Sequence, residues 1–468
     1  MLRSPRIHQS ATIPAMETVD TVIHARWVVP VEPHDTILEN HGVAIRGGRI
    51  VEVAASAALD ERYRAESTRR LDDHLLIPGL INAHTHASMS LLRGMADDLP
   101  LMTWLTEHIW PAEQRWVSEH FVRDGSTLAM AEMLLGGVTC FNDMYFFPEV
   151  TAQTAHQIGM RAVLGMIVID VPSAYGDGPE DYLEKGLAFH DAYKDDPLVR
   201  AIFAPHAPYT VSSRWLERIH TYSEELELPV HIHVHETAGE VQNSLRETGK
   251  RPLQHLDELG LISPMLLAVH ATQMEEREME RLAGAGAHVI HCPESNLKLN
   301  SGFCPAARLM EHGINVALGT DGAAGNNDLD LIGEMRTAAL LGKAVANNPA
   351  ALPATTVLRM ATLDGARALG LDDVAGSLEP GKFADLTAVS LAELDVQPVY
   401  NPVSQLVYAA TRRHVTDVWV AGRPLVQERR LTTVDAVEAV AKADEWRRRI
   451  TGEDAGRHTM KATEGGEA

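Results

Sequence analysis

Cysteine is nearly absent from this chain: Cys140, Cys292 and Cys304 are the three among 468 residues. They are odd in number and far apart, so they make neither a disulfide framework nor a paired-thiol metal knuckle, and a reducing compartment is expected. Basic charge is also scarce, with 41 Lys and Arg against 64 Asp and Glu, a net charge of −23. That surplus favours solubility and opposes binding to nucleic-acid phosphate or to an anionic membrane. A solvated acidic surface is its simplest meaning. No apolar run reaches the roughly 18 residues of a helical membrane span. Residues 1–16 lack the apolar stretch of a secretory signal. These absences lead us to expect a soluble, cytoplasmic protein without nucleic-acid or membrane partners. A glycine-rich phosphate loop is missing too. Gly284-Ala285-Gly286 follows a helical pattern and precedes a strand pattern, the wrong order for a dinucleotide turn.

What is present suits a large folded unit. Hydrophobic residues make up 45% and charged residues 22%, enough apolar material for one large barrel plus a satellite. Residues 17–79 read as short β-strands: 21–31 and 42–53 are rich in Val and Ile, with a turn at Gly47-Gly48. The runs 384–389 and 415–420 have the same texture. Two β-rich ends around an α/β middle predict one small discontinuous β-sandwich over 17–79 and 376–430. A C-terminal helix is expected over 431–450, with a disordered head over 1–16 and a flexible tail over 451–468.

Between them, over 80–375, strand and helix signals alternate about eight times. The candidate strands are 75–84, 138–145, 162–170, 199–205, 229–235, 266–270, 288–292 and 315–320. Trp215, Ile219, Tyr222 and Leu226 mark one of the intervening helix faces. Such alternation predicts a (β/α)8 TIM barrel, whose chemistry sits at strand C-termini. A doubly wound open sheet is the runner-up, disfavoured by the missing phosphate turn.

The chemistry-bearing residues fall at those ends. In Leu80-Ile81-Asn82-Ala83-His84-Thr85-His86, an apolar run finishes in two histidines one residue apart. Side chains at i and i+2 of a strand share a face, so His84 and His86 converge on one point, an arrangement suited to a zinc- or iron-type divalent ion. His231, His233 and His235 share a face at the fifth strand, next to Glu236. His206, His270 and Asp321 close the fourth, sixth and eighth. A single buried histidine at a strand end is ordinarily structural. Five ends carrying His or Asp would each need a separate buried polar partner, which packing alone does not explain.

The strings PGLINAHTHASMSLLRGMADDLPLMTWL, FNDMYF, APHAPYT, HET, CPESNLKLNSG, LGTDGAAGNNDLDL and GSLEPGKFADL resemble the amidohydrolase superfamily. Within its aminohydrolase branch they look like the 5′-methylthioadenosine/S-adenosylhomocysteine deaminase group, over about 19–426. The resemblance implies one divalent metal per chain, zinc first and iron second, on His84, His86, His233 and Asp321. His233 is taken over His231 and His235 because the family motif is His-x-x-Glu, which His233 and Glu236 satisfy. Two-metal relatives need a lysine at the fourth strand end, and this chain has His206 there. Glu236, His270 and Asp321 become the catalytic groups. Trp104, Glu113, His206 and Glu236 become the contacts to a small nucleoside, although Trp104 reads equally well as core. Asn296 is a candidate loop brace.

The expected reaction is hydrolytic deamination of 5′-methylthioadenosine, with adenosine and S-adenosylhomocysteine as further candidates. Relatives that grip the amino-acid tail carry an arginine shortly after the equivalent of Gly159-Met160-Arg161-Ala162. Here that stretch is Gly165-Met166-Ile167, which predicts a preference for methylthioadenosine. Competing expectations are deamination or dechlorination of another heterocycle (guanine, cytosine, pterin or triazine) and a non-catalytic barrel with a binding role. A homo-oligomer, dimer or tetramer, is expected by analogy with other large barrels.

Overall fold

A computed structural model of the chain describes residues 16–452. The expected head and tail, but for Met16, Thr451 and Gly452, lie outside the described residues. The first strands are β1 (Glu17–Val28), β2 (Leu38–Arg46), β3 (Arg49–Ala55) and β4 (Tyr63–Pro78). Next come β5 (Leu80–Thr85), β6 (Val138–Asp143), β7 (Arg161–Val168), β8 (Val199–Pro205), β9 (Val230–Val234), β10 (Leu266–His270), β11 (His288–His291) and β12 (Asn315–Leu318). The last are β13 (Leu386–Ser390), β14 (Val415–Val420), β15 (Arg423–Gln427) and β16 (Arg430–Leu431).

The two chain ends build one sheet of eight strands, ordered β16-β15-β14-β13-β4-β1-β2-β3. The small β domain expected from both chain ends is present, its eight strands hydrogen-bonded in one continuous sheet. Its seam is the antiparallel pair β4–β13, where Leu386 faces Pro78 and Ser390 faces His74. Strand alternation divides its apolar residues between two cores. Leu75 and Ile77 join the large core with Leu134 and Val138, whereas Leu76 packs with Ile23, Ile45 and Trp419 on the other side.

Strands β5 to β12 are parallel neighbours in sequence order, the TIM-barrel arrangement, with helices between them. On these strands alternate residues serve different layers. Ala162, Leu164, Leu266 and Ala268 pack on the helical layer, while Val163, Ile202, Leu267, Val269 and Ile290 form a separate buried cluster. Side chains carry much of the contact between first and last strand. Asn82 accepts from Thr320 N at 3.0 Å and donates to Thr320 Oγ1 at 2.8 Å, beside one backbone bond from Asp321 N to His84 O of 3.0 Å. Gly319 permits this approach, since a Cβ there would lie 2.8 Å from both N and Cβ of His84.

One expected strand is corrected. The run 75–84 is not continuous: Leu75–Pro78 finish β4 in the small sheet, and the barrel starts at Leu80. Gly79 makes the step, and a Cβ there would meet Thr139 Oγ1 at 2.1 Å. Apolar residues on both sides hide the break from the sequence. A helix at Ala436–Thr451 lies against Glu119–Leu135, where Trp446 Nε1 donates to Asp124 at 2.8 Å. No helix among the described residues is long and apolar enough to cross a membrane.

Candidate active site

A cavity of about 810 Å³ gathers residues from the C-terminal ends of the barrel strands. His86, His206, His233, Glu236, His270 and Asp321 line it, together with Trp104, Glu113, Tyr145 and Ile167. Four side-chain-bearing residues at these ends adopt left-handed backbone: His235 at φ 55°, His270 at 74°, Ala271 at 46° and Asp321 at 63°. That conformation costs roughly 1–2 kcal/mol for a residue with a Cβ, so tertiary contacts must hold each turn.

The four residues assigned to the metal come together. His84 Nε2 lies 3.2 Å from His233 Nε2 and 3.3 Å from Asp321 Oδ1, and His86 Nε2 lies 3.2 Å from the same oxygen. Ligand atoms about 2.0–2.1 Å from a tetrahedral zinc ion sit about 3.3–3.4 Å from each other. These three separations match that spacing, and His84, His86 and Asp321 form one group of donors within 4.8 Å of one another. The far ring nitrogens are engaged as well: His86 Nδ1 with Met144 O at 2.6 Å, and His233 Nδ1 with His206 O at 2.7 Å. A carbonyl can only accept, so both Nδ1 atoms carry hydrogen, which leaves Nε2 as the nitrogen that each ring turns to the centre. His84 Nδ1 pairs with His231 Nε2 at 3.0 Å. Ser295 Oγ donates to Asp321 Oδ2 at 2.6 Å, and Gly322 N donates to Asp321 Oδ1 at 2.7 Å.

His84, His233 and His270 form a second group whose ring nitrogens lie within 4.8 Å of one another. The hydrogen bonding of His270 favours the first group. Asn296 Nδ2 donates to His270 Nδ1 at 3.0 Å, which leaves the neutral ring with its hydrogen on Nε2. Nε2 lies 4.0 Å from Glu236 Oε2. Burial pushes His270 and His206 down to about 3, so both are neutral.

The acids respond in opposite directions. Burial raises Glu236 well above the usual carboxylate range, and the charges of Asp321 and Glu240 add to the rise. Burial also lifts Glu113 to about 7, opposed by a bond from Tyr145 and by His86. Asp321 goes the other way despite burial, held well down by His84 and His86. Burial works against the charged form of His86, yet Asp321 lifts it to about 9.

Trp104 packs with Met89, Leu92 and Phe121 and also forms part of the cavity wall, so both readings of it describe the same residue. The expectation that three histidines of the fifth strand share a face holds for His231 and His233 only. β9 ends at Val234, and His235 turns outward, accepting from Leu253 N at 3.2 Å. Several polar residues around the site escaped the sequence reading. Asp143 accepts from Ala87 N at 2.7 Å just beyond His86, and Tyr145 reaches the cavity beside Glu113. Both lie in the FNDMYF string. Ser295 carries no spacing signal of its own.

The model of the amidohydrolase family matches residues 75–425. A protein of Teredinibacter turnerae named 5-methylthioadenosine/S-adenosylhomocysteine deaminase is 51% identical over 433 residues, 92% of this chain and 98% of that one. A protein of the same name from Saccharophagus degradans is also 51% identical, over 92% of this chain and 97% of its own. A solved structure described as an adenosine deaminase from Xanthomonas campestris with bound zinc superposes with a TM-score of 0.93. It is 51% identical and covers 94% of this chain and 100% of its own. An atrazine chlorohydrolase from Arthrobacter aurescens shares the fold, with a TM-score of 0.85 at 24% identity over 91% of this chain and 99% of that one.

Proposed function

The chain belongs to the amidohydrolase family, and on that footing we propose that it is a metal-dependent deaminase of adenine nucleosides. It converts 5′-methylthioadenosine to the inosine-type product and ammonia, with adenosine and S-adenosylhomocysteine as further substrates. The observation that carries this reading is the meeting of His84 Nε2 with His233 Nε2 at 3.2 Å and of Asp321 Oδ1 with His84 and His86 at 3.3 and 3.2 Å, beside a buried acid, Glu236. The likeness to proteins named for this reaction supports it.

In this reading those four residues hold one zinc ion per chain, with iron as the second candidate. The bound ion supplies the acidity that makes water a nucleophile near neutral pH. Glu236, whose affinity for a proton burial raises, delivers a proton to the ring nitrogen next to C6. Water oxygen then bonds to C6. His270, with its hydrogen on Nε2, steadies that oxygen by donating to it. The Asp321 carboxylate takes the proton that water gives up, the C6 hydroxyl gives its proton to Glu236, which passes it to the exocyclic nitrogen, and the proton on Asp321 then restores Glu236. The C–N bond breaks, ammonia leaves, and the carbonyl forms at C6. Trp104, Glu113 and His206 contact the nucleoside. Glu113, once ionised, accepts from sugar hydroxyls.

Ile167, Ile169, Val171 and Pro172 give the cavity an apolar stretch of wall, with Asp170 and Glu247 also lining it. Such a wall suits a thioether better than a carboxylate. Three buried free thiols among the described residues accord with a reducing cytoplasm. A symmetric homo-oligomer, dimer or tetramer, belongs to the same reading, and light scattering on the purified protein tests it. The decisive experiment follows absorbance of zinc-loaded protein with methylthioadenosine, adenosine, guanine, cytosine and a triazine. Turnover of the first two and not the others is expected. Turnover of another heterocycle alone overturns the reading.

A further inference from the structure

The sequence Thr237-Ala238-Gly239-Glu240 has the form of a helix capping box, and part of it behaves as one. Thr237 Oγ1 accepts from Glu240 N at 3.1 Å at the start of the helix Ala238–Thr248. The Glu240 carboxylate, however, reaches back beyond the cap into the end of β9. Its Oε1 accepts from His235 N at 3.0 Å and its Oε2 from Glu236 N at 2.7 Å.

Those two N–H groups belong to the peptide planes on either side of the His235 Cα. Setting both planes fixes both backbone torsions of His235, which lies at φ 55°. Successive N–H groups converging on one anion require such a turn, which an extended strand does not supply. The following carbonyls are held from the opposite side. Thr272 Oγ1 lies 2.7 Å from Glu236 O and 3.2 Å from His235 O. Glu236 therefore leaves a backbone fixed on both flanks. It is 6% exposed, with Ser301 Oγ 3.4 Å from its Oε1 and His270 Nε2 4.0 Å from its Oε2.

We propose that Glu240 is a positioning residue for the deamination: by clamping two consecutive backbone N–H groups it holds the left-handed turn that aims Glu236 into the cavity. The inference rests on the reading of Glu236 as the proton shuttle. It explains why a carboxylate stands here, where a simple cap would suffice for the helix. Two donors need two acceptor oxygens. Glutamine offers one oxygen and sets an amide N–H₂ against the other donor, and alanine offers none.

The test compares E240A, E240Q and E236Q with the unaltered protein, all full-length and zinc-loaded, on methylthioadenosine. For each, kcat, KM, zinc per chain and Tm are measured. Misaiming a reacting group by about an ångström costs on the order of a hundredfold. E240A is expected to lower kcat about 30- to 100-fold, with KM within about twofold and zinc content unchanged. E240Q, keeping one acceptor, is expected to fall between E240A and the unaltered protein, and it supplies the comparison if E240A folds poorly. The proposal is overturned if kcat of E240A stays within about threefold while E236Q is severely impaired, or, should E240A fold poorly, if kcat of E240Q equals that of the unaltered protein. It is equally overturned if the loss follows zinc content. Full turnover by E236Q sinks the shuttle reading instead, and any aiming role with it.

Discussion

Replacing Ser295 by alanine tests the metal centre without touching a ligand. Ser295 is fully buried, and its hydroxyl donates to Asp321 Oδ2 at 2.6 Å, while Oδ1 of the same carboxylate faces His84 and His86 at 3.3 and 3.2 Å. A hydrogen bond to a charged group contributes about 1.5–3 kcal/mol. At about 1.4 kcal/mol per tenfold, losing it weakens the carboxylate's hold on a cation by about 10- to 150-fold. That range overlaps the roughly 10- to 100-fold losses usual when a partner of a metal ligand is removed. Competition for zinc against a chromophoric chelator measures the change, and circular dichroism confirms the fold. A Kd within about threefold of the unaltered protein would refute the reasoning, because a buried charge-assisted bond cannot vanish without consequence if Asp321 binds the ion.

Other tests address other parts of the molecule. Arg161 and Asp385 tie the barrel to the small sheet, with Nε–Oδ2 at 2.9 Å and both side chains 4% exposed. Asp385→Ala strands a buried guanidinium and should cost about 3–5 kcal/mol in urea unfolding. A loss below about 1 kcal/mol would count against the pair as the link. Because the described cavity lining contains no Lys or Arg, kcat/KM for methylthioadenosine should exceed that for S-adenosylhomocysteine by at least about tenfold. The reverse preference would count against the tail reading. In metal-free protein His86 keeps its proton up to about 9, whereas burial lowers His84 and His233. Zinc binding between pH 6 and 8 should therefore release about one proton, with affinity rising about tenfold per pH unit. Calorimetry in buffers of differing ionisation enthalpy reads the number, and a value near zero contradicts the His86 assignment.

Much of this protein is legible in its residues alone. Alternating strand and helix patterns identify the barrel, and the i, i+2 spacing of His84 and His86 announces a pair of ligands, because both signals depend only on local backbone period. The identity of the third histidine is not a local matter. His231, His233 and His235 have equal claims by spacing, and the left-handed turn at His235 removes one of them only once Glu240 and Thr272 are in place. Gly79 shows the same limit: an unbroken apolar run belongs to two sheets because Thr139 and β13 lie against it in space. Ser295 reaches Asp321 across 26 positions, and Asn82 reaches Thr320 across 238. Period and composition report how each segment is shaped. Only strand order, register and barrel closure decide which polar atoms meet, since those meetings depend on distances through space that neighbouring residues do not encode.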